Sequence, residues 1–145
     1  MDFKIFIKQC VFLMIFLVVG QFAVACFYYL NAVDTVNDAY STLCRIVASD
    51  NCLDDTVKYN GKTNYDRFQE MLEDLEEEVG YVEFDNTSVD VEYTSRDTAP
   101  QQYTKIRTKL TGYYTFKIDA FGTANFRVPI TRDFPVMGIK HYRDR

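Results

Sequence analysis

The chain has 145 residues, a net charge of −5, one histidine and no tryptophan. That length suits one modest domain plus an accessory helix. The acidic balance argues against a nucleic-acid partner, which needs a basic face to meet phosphates.

From Cys10 to Leu30 the chain reads CVFLMIFLVVGQFAVACFYYL, with Gln21 its one strongly polar residue. As a helix this run is ~31 Å long at 1.5 Å per residue, which matches the hydrocarbon core of a bilayer. Lys4 and Lys8 precede it, and Asp34 and Asp38 follow. The positive-inside rule then predicts a single-pass protein of the cell membrane, its N-terminus cytoplasmic and its C-terminal part outside. The expected organisation is a transmembrane segment over 1–30 and an extracytoplasmic α+β head over 31–145. Helix association in lipid depends on close packing at small residues, and Gly20, Ala23 and Ala25 supply them.

Two other readings stay open. Ala23-Val24-Ala25 has the small-x-small form of a signal cleavage site, and Cys26 follows it as an acylated lipoprotein cysteine would. The second reading makes the chain a surface lipoprotein or anchored binding module whose tyrosine-rich sheet meets a ligand. Against both, the apolar run continues through Phe27-Tyr28-Tyr29-Leu30. A cleaved apolar region is shorter, about 7–15 residues.

Leu30, Val33, Val36, Tyr40, Leu43 and Val47 recur every three or four residues, the stripe of an amphipathic helix. No Pro or Gly interrupts the chain between Gln21 and Asn60. One long helix from about Phe3 to Ser49 is expected, its second half packed on the head. DNCLDDTVKYNGKT, from Asp50 to Thr63, reads as a loop with a turn at Asn60-Gly61. It fails as an EF-hand: with Gly61 sixth, Thr56 and Arg67 fall where carboxylates are needed. An irregular cation site from Asp50, Asp54 and Asp55 stays open. A second helix is expected over Asn64–Glu78, with Asn64 as its N-cap and an apolar face of Tyr65, Phe68, Met71 or Leu72, Leu75 and Val79. Its other face is acidic, and Glu76 to Glu78 lie where the helix dipole disfavours negative charge.

From Tyr81 the period becomes two. Val89, Val91 and Tyr93 form one row; Ile106, Thr108 and Leu110 form another, continued by Tyr114, Phe116 and Ile118 beyond a bulge or break at Gly112. Phe126, Val128 and Ile130 form a third, and Pro129 marks that strand as an edge. A small antiparallel meander is expected, with acidic Asp90 and basic Arg107 on neighbouring strands. The fold class is therefore α+β: a long transmembrane-to-amphipathic helix packed on a small antiparallel sheet, with a second short helix.

Cys10 and Cys26 lie in the apolar helix, too far apart to bond each other. Cys44 and Cys52 fall outside the membrane, and a chain reversal after the helix predicts a disulfide between them in an oxidising compartment. No catalytic, cofactor or metal constellation stands out. The one histidine, His141, lies in the charged tail KHYRDR, which reads as solvated.

An apolar helix that becomes amphipathic and leads into an antiparallel sheet is the layout of type IV pilin-like proteins. Tyr28-Tyr29-Leu30-Asn31-Ala32, the helix end Ala39-Tyr40 with Arg45-Ile46-Val47-Ala48, VDVEYTSRD and KIRTKLTGYYTFKI resemble the TadE-type minor pseudopilins of tight-adherence (Tad) pili and related secretion or conjugation systems. The resemblance implies a non-enzymatic protein of pilus or secretion assembly. Its partners would be the membrane and other pilin-like or assembly proteins, with an oligomer allowed. The segment before Cys10, MDFKIFIKQ, lacks the Gly of a processed pilin, and no acidic residue lies between Asp2 and Asp34. That departure implies an unprocessed relative that stays in the membrane.

Overall fold

The structure is a computed structural model and describes residues 2–118 and 124–143. The first helix, α1, spans Phe3–Asp50, 48 residues without a break. Asp2 caps it, its carboxylate accepting the Lys4 N–H at 3.2 Å. The two halves of α1 have different surroundings. From residue 2 to residue 30 nearly every side chain is exposed. From Ala32 onward a stripe goes under the head: Ala32, Val36, Ala39, Leu43 and Val47 are buried.

This stripe is rotated from the expected one. Leu30 is 62% exposed, and Val33 and Tyr40 only flank the centre. The centre is taken by Ala32 and Ala39, which carry little weight in a hydrophobicity pattern. Their small side chains let the helix lie close on the sheet. The helix comes close at Gly112, where an added Cβ would stand 2.5 Å from Val36 Cγ2.

The sheet holds β1 (Val82–Glu83), β2 (Val89–Val91), β3 (Lys105–Ile118) and β4 (Ala124–Met137). β3 and β4 form a long hairpin, in register from Lys105↔Met137 to Ile118↔Ala124. β1 and β2 lie end to end along the other edge of β3, with Val82 opposite Tyr114 and Val91 opposite Thr108. They act as one strand of the meander, interrupted by a turn in which Asp85 accepts the Thr87 N–H at 2.9 Å. The expected break at Gly112 does not occur; Gly112 pairs with Ile130 inside a continuous strand. The glycine is there to admit α1. Among the described residues β4 pairs only with β3, consistent with Pro129 on an edge. Asp90 faces Lys109 and pairs with Arg107 at 3.2 Å. Both partners are about half exposed, so the pair contributes register more than stability.

The second helix, α2 (Asn64–Val79), buries Phe68 and Leu72 against the same core. Its N-cap is Thr63, not Asn64. Thr63 and Asp66 form a reciprocal capping box, and Asn64 donates instead to Asp50 Oδ2 at 2.7 Å. Glu76 accepts the Phe84 N–H, which gives that carboxylate a partner at the unfavourable helix end.

The end of α1 is fastened by Asn51, which is fully buried and left-handed at φ 60°. Its amide donates to the Pro100 carbonyl (2.7 Å) and the Lys140 carbonyl (2.8 Å). Its oxygen accepts the Lys140 N–H (3.0 Å). The Ile139 N–H donates to the Ala48 carbonyl at 2.9 Å, and the Tyr142 hydroxyl donates to the Asp50 carbonyl at 2.5 Å. The tail, expected to be solvated, thus closes over the helix terminus; His141 itself is exposed.

Asn51 satisfies two different needs, a left-handed backbone and three buried hydrogen bonds. Asn51→Gly keeps the first and loses the second, with an expected cost of about 2–3 kcal/mol from stranded backbone groups. Asn51→Ala loses both and should cost about 1 kcal/mol more. Urea unfolding of the detergent-solubilised chain, followed by near-ultraviolet circular dichroism, checks the order.

Candidate functional site

The first half of α1 is an apolar cylinder exposed around its circumference; Phe12 is 72% and Phe16 67% exposed. In the apolar window of α1 nothing is covered by the rest of the chain, and the helix is long and apolar enough to cross a membrane. Lys4 and Lys8 are exposed at its N-terminal end. A Cβ at Gly20 would meet nothing within 4 Å, and Ala23 is exposed, so both are open to a neighbouring helix. Ala25 is half-buried, because the head reaches down to it.

That contact is aromatic. The Tyr114 hydroxyl donates to the Ala25 carbonyl at 2.9 Å. Tyr28 packs on Tyr81 with ring centroids 5.1 Å apart, and Tyr29 on Tyr114 at 5.8 Å. From Tyr114 the rings continue down the hairpin, Phe116 at 5.8 Å and then Phe126 at 4.9 Å, both stacked. A cleft between hairpin and helix is lined by Phe22, Ala25, Cys26, Tyr29, Phe116 and Val128. Burial, then the nearby Cys26, Tyr81 and Tyr28, push the Tyr114 hydroxyl above its ordinary pKa. The alternating rows marked these aromatics as one face of the sheet. Their level beside residues 22–29 of α1 follows from the register of the whole hairpin, which no local pattern carries.

The expected disulfide is absent: Cys44 and Cys52 are both thiols. Cys44 lies six residues before the end of α1, ~9 Å below that end along the axis, and Cys52 lies two residues past it. Its Sγ reaches the Asp50 carbonyl at 3.5 Å, at the helix end. Cys44 instead neighbours Tyr40, and burial raises its thiol pKa. Burial, then the hydrogen bond with Cys44, push the Tyr40 hydroxyl up to about 12. Tyr40 donates to the Phe134 carbonyl (3.0 Å), lies 3.3 Å from the Thr108 carbonyl and accepts the Phe134 N–H (3.1 Å), which ties α1 to the β3–β4 ladder.

Asp50 and Asp54, candidates for a cation, are bridged by a guanidinium. Arg96 Nη2 lies 3.1 Å from Asp50 Oδ2, and Arg96 Nε 3.3 Å from Asp54 Oδ2. Arg96 also donates to the Tyr59 hydroxyl at 2.8 Å. Asp55 is exposed and outside this cluster. Among the described residues no group of three metal-binding side chains comes together. Burial alone would raise the Asp54 carboxyl. The Thr56 hydroxyl (2.6 Å), the Thr56 and Val57 N–H groups (3.1 and 3.2 Å) and the Arg96 charge outweigh it and hold the pKa below the usual range.

No family model matches the chain, and neither does any curated protein or solved structure.

A depressed carboxylate pKa stabilises the fold above the unfolded-state value, about 3.9, and that stability is lost as pH falls through the folded value. Asp54→Asn should therefore lower the Tm of the detergent-solubilised chain at pH 7. The gap from the wild type should shrink below about pH 4. Thermal melts across pH 2–8 on the order of one unit apart check it.

Proposed function

We propose that this chain is a non-enzymatic, single-pass membrane protein of the pilin-like, TadE-type kind. It would serve in assembly of a surface pilus or of a secretion or conjugation apparatus. Its N-terminus lies in the cytoplasm and its head outside. The apolar half of α1 packs laterally against helices of partner subunits, and the head makes the contacts above the membrane.

The observation that carries this reading is the continuity of α1. One unbroken helix of 48 residues is bare and apolar in its first half and buried on a sheet in its second. A rod of that kind transmits the position of a membrane helix directly to the head, as a subunit of a helical assembly requires. The Tyr114 bond to the Ala25 carbonyl supports retention of the whole helix. Cleavage and acylation at Cys26 would remove that carbonyl, although Tyr28 and Tyr29 would remain.

Gly20 and Ala23 lie on the bare part, and their small side chains let a second helix approach. Gly20→Leu and Ala23→Leu should each reduce co-purification of membrane partners after mild crosslinking by several-fold, with the head's melting temperature unchanged. Undiminished recovery of those partners from both variants would remove the helix-packing account.

A further inference from the structure

We infer that the lipid-facing segment of α1 is residues 3–20, and that the outer boundary of the hydrocarbon lies no higher than Gln21. Residues 22–30, though apolar, then stand outside the hydrocarbon core and carry the head. The membrane sits lower on the helix than the apolar run over 10–30 suggests. This inference rests on the proposed membrane span of α1 and says which of its residues meet lipid.

The head reaches far down α1. The Tyr114 hydroxyl meets the Ala25 carbonyl, and one cleft brings Thr115 and Phe116 beside Gln21. A second cleft brings Phe116 and Val128 beside Phe22 and Cys26. Thr115 pairs with Arg127, whose guanidinium lies 3.5 Å from Asp85 and 3.8 Å from the centre of the Tyr113 ring. Among the described residues β4 pairs only with β3, so its other edge carries backbone groups without a strand partner. A hydrocarbon core ending at Leu30 would hold this level deep inside. Gln21 to Ala25 lie about five to nine residues below Leu30, ~8–14 Å at 1.5 Å per residue. Neither an ion pair nor an open strand edge is stable at that depth. The hydrocarbon therefore ends below this part of the head, at Gln21, the one strongly polar residue of the run.

The other end of α1 agrees. Phe3, Ile5, Phe6 and Ile7 are exposed, Phe3 at 73%, and a core that starts at Cys10 would leave all four in water. Residues 3–20 make a helix of ~27 Å, close to the ~30 Å of a hydrocarbon core. Lys4, Lys8 and Gln9 are the strongly polar residues of this segment. The lysines stand four apart on one helix face, with their stems along the apolar surface and their ammonium groups directed to the inner headgroups. Local thinning of the bilayer takes up the small remaining mismatch. The charge asymmetry that directs the N-terminus inward is unchanged. One downward shift of the membrane thus removes both conflicts, the polar head in hydrocarbon and the four bare apolar residues in water.

The chain has no tryptophan, so one introduced residue reports its own surroundings. Full-length Phe6→Trp, Phe16→Trp and Phe27→Trp proteins are reconstituted in phosphatidylcholine vesicles whose acyl chains carry bromine near the headgroup end. All three positions are exposed on α1, so the packed core of the head is untouched. Phe16 lies inside either placement of the hydrocarbon. Phe6 lies inside only if the core covers residues 3–20, and Phe27 only if it covers residues 10–30. The expected result is several-fold quenching of Phe6→Trp and Phe16→Trp, with Phe27→Trp nearly unquenched. Quenching of Phe27→Trp equal to or stronger than that of Phe6→Trp, with Phe16→Trp quenched, overturns this inference and leaves the span standing. An unquenched Phe16→Trp removes the span itself, and this placement with it.

Discussion

Where α1 ends, Asn51 turns the chain left-handed and its side chain ties together Pro100 and Lys140. A helix terminus leaves carbonyls without partners, and burying them unsatisfied costs about as much as the buried hydrogen bonds they lack. Here the tail supplies the donors: Ile139 to Ala48 and Tyr142 to Asp50. Gly138 is part of the same closure, since any Cβ there would overlap the Asn51 carboxamide. Because the end is fixed, the helix cannot slide or rotate on the sheet. Its stripe from Ala32 to Val47 then has one seating, and the direction of the bare half is set by the head.

The sheet is built to receive that rod. Alanines on α1 and Gly112 on β3 clear the space at the centre. Tyr40 at one end and Tyr114 at the other bond across the helix–sheet contact, to Phe134 and Ala25 respectively. Between these polar pins the contact is built on the apolar stripe of α1, with one further hydrogen bond from Arg132 Nε to Asn37 Oδ1 at 2.7 Å. On the far side of the sequence, Arg96 joins the loop after α1 to the segment after β2 through Asp50 and Asp54. A second ion pair, Arg127 with Asp85 at 3.5 Å, lies toward the aromatic end of the sheet.

The elements were legible in the sequence because each is strongly periodic: α1 to within a residue of its end, the position of α2, the β3–β4 aromatic rows, and the Asp90–Arg107 pairing. The turn at Asn60-Gly61 was legible from its residue types, and both residues do take positive φ. What pattern could not carry was small or distant. Ala32 and Ala39 look neutral beside Leu30, yet contact with a glycine-cleared sheet favours the smaller residue. Gly112 reads as a break in isolation and as a clearance once α1 is known. The cap at Thr63 was legible in principle, since Thr63 and Asp66 have capping-box spacing, but Asn64 is drawn off to Asp50; the tail's role at Asn51 depends on where a remote segment arrives. Of the candidate site, the apolar run, Lys4, Lys8, Gly20 and Ala23 were visible as composition. The hairpin aromatics beside Phe22 and Cys26 required the full register.

These features describe a head held at a fixed attitude by a helix whose second half belongs to it and whose first half is bare, apolar and long enough to cross a membrane. The central claim is that this helix stays whole in the working protein. The most direct measurement is the intact mass of the protein extracted from native membranes under non-reducing conditions. A mass of 16.9 kDa, with all of α1 present and both Cys44 and Cys52 reduced, is the result this account requires. A species beginning at Cys26 and carrying acyl chains would contradict it, since the first half of the rod, the Tyr114 bond to the Ala25 carbonyl and the small residues Gly20 and Ala23 would all be gone.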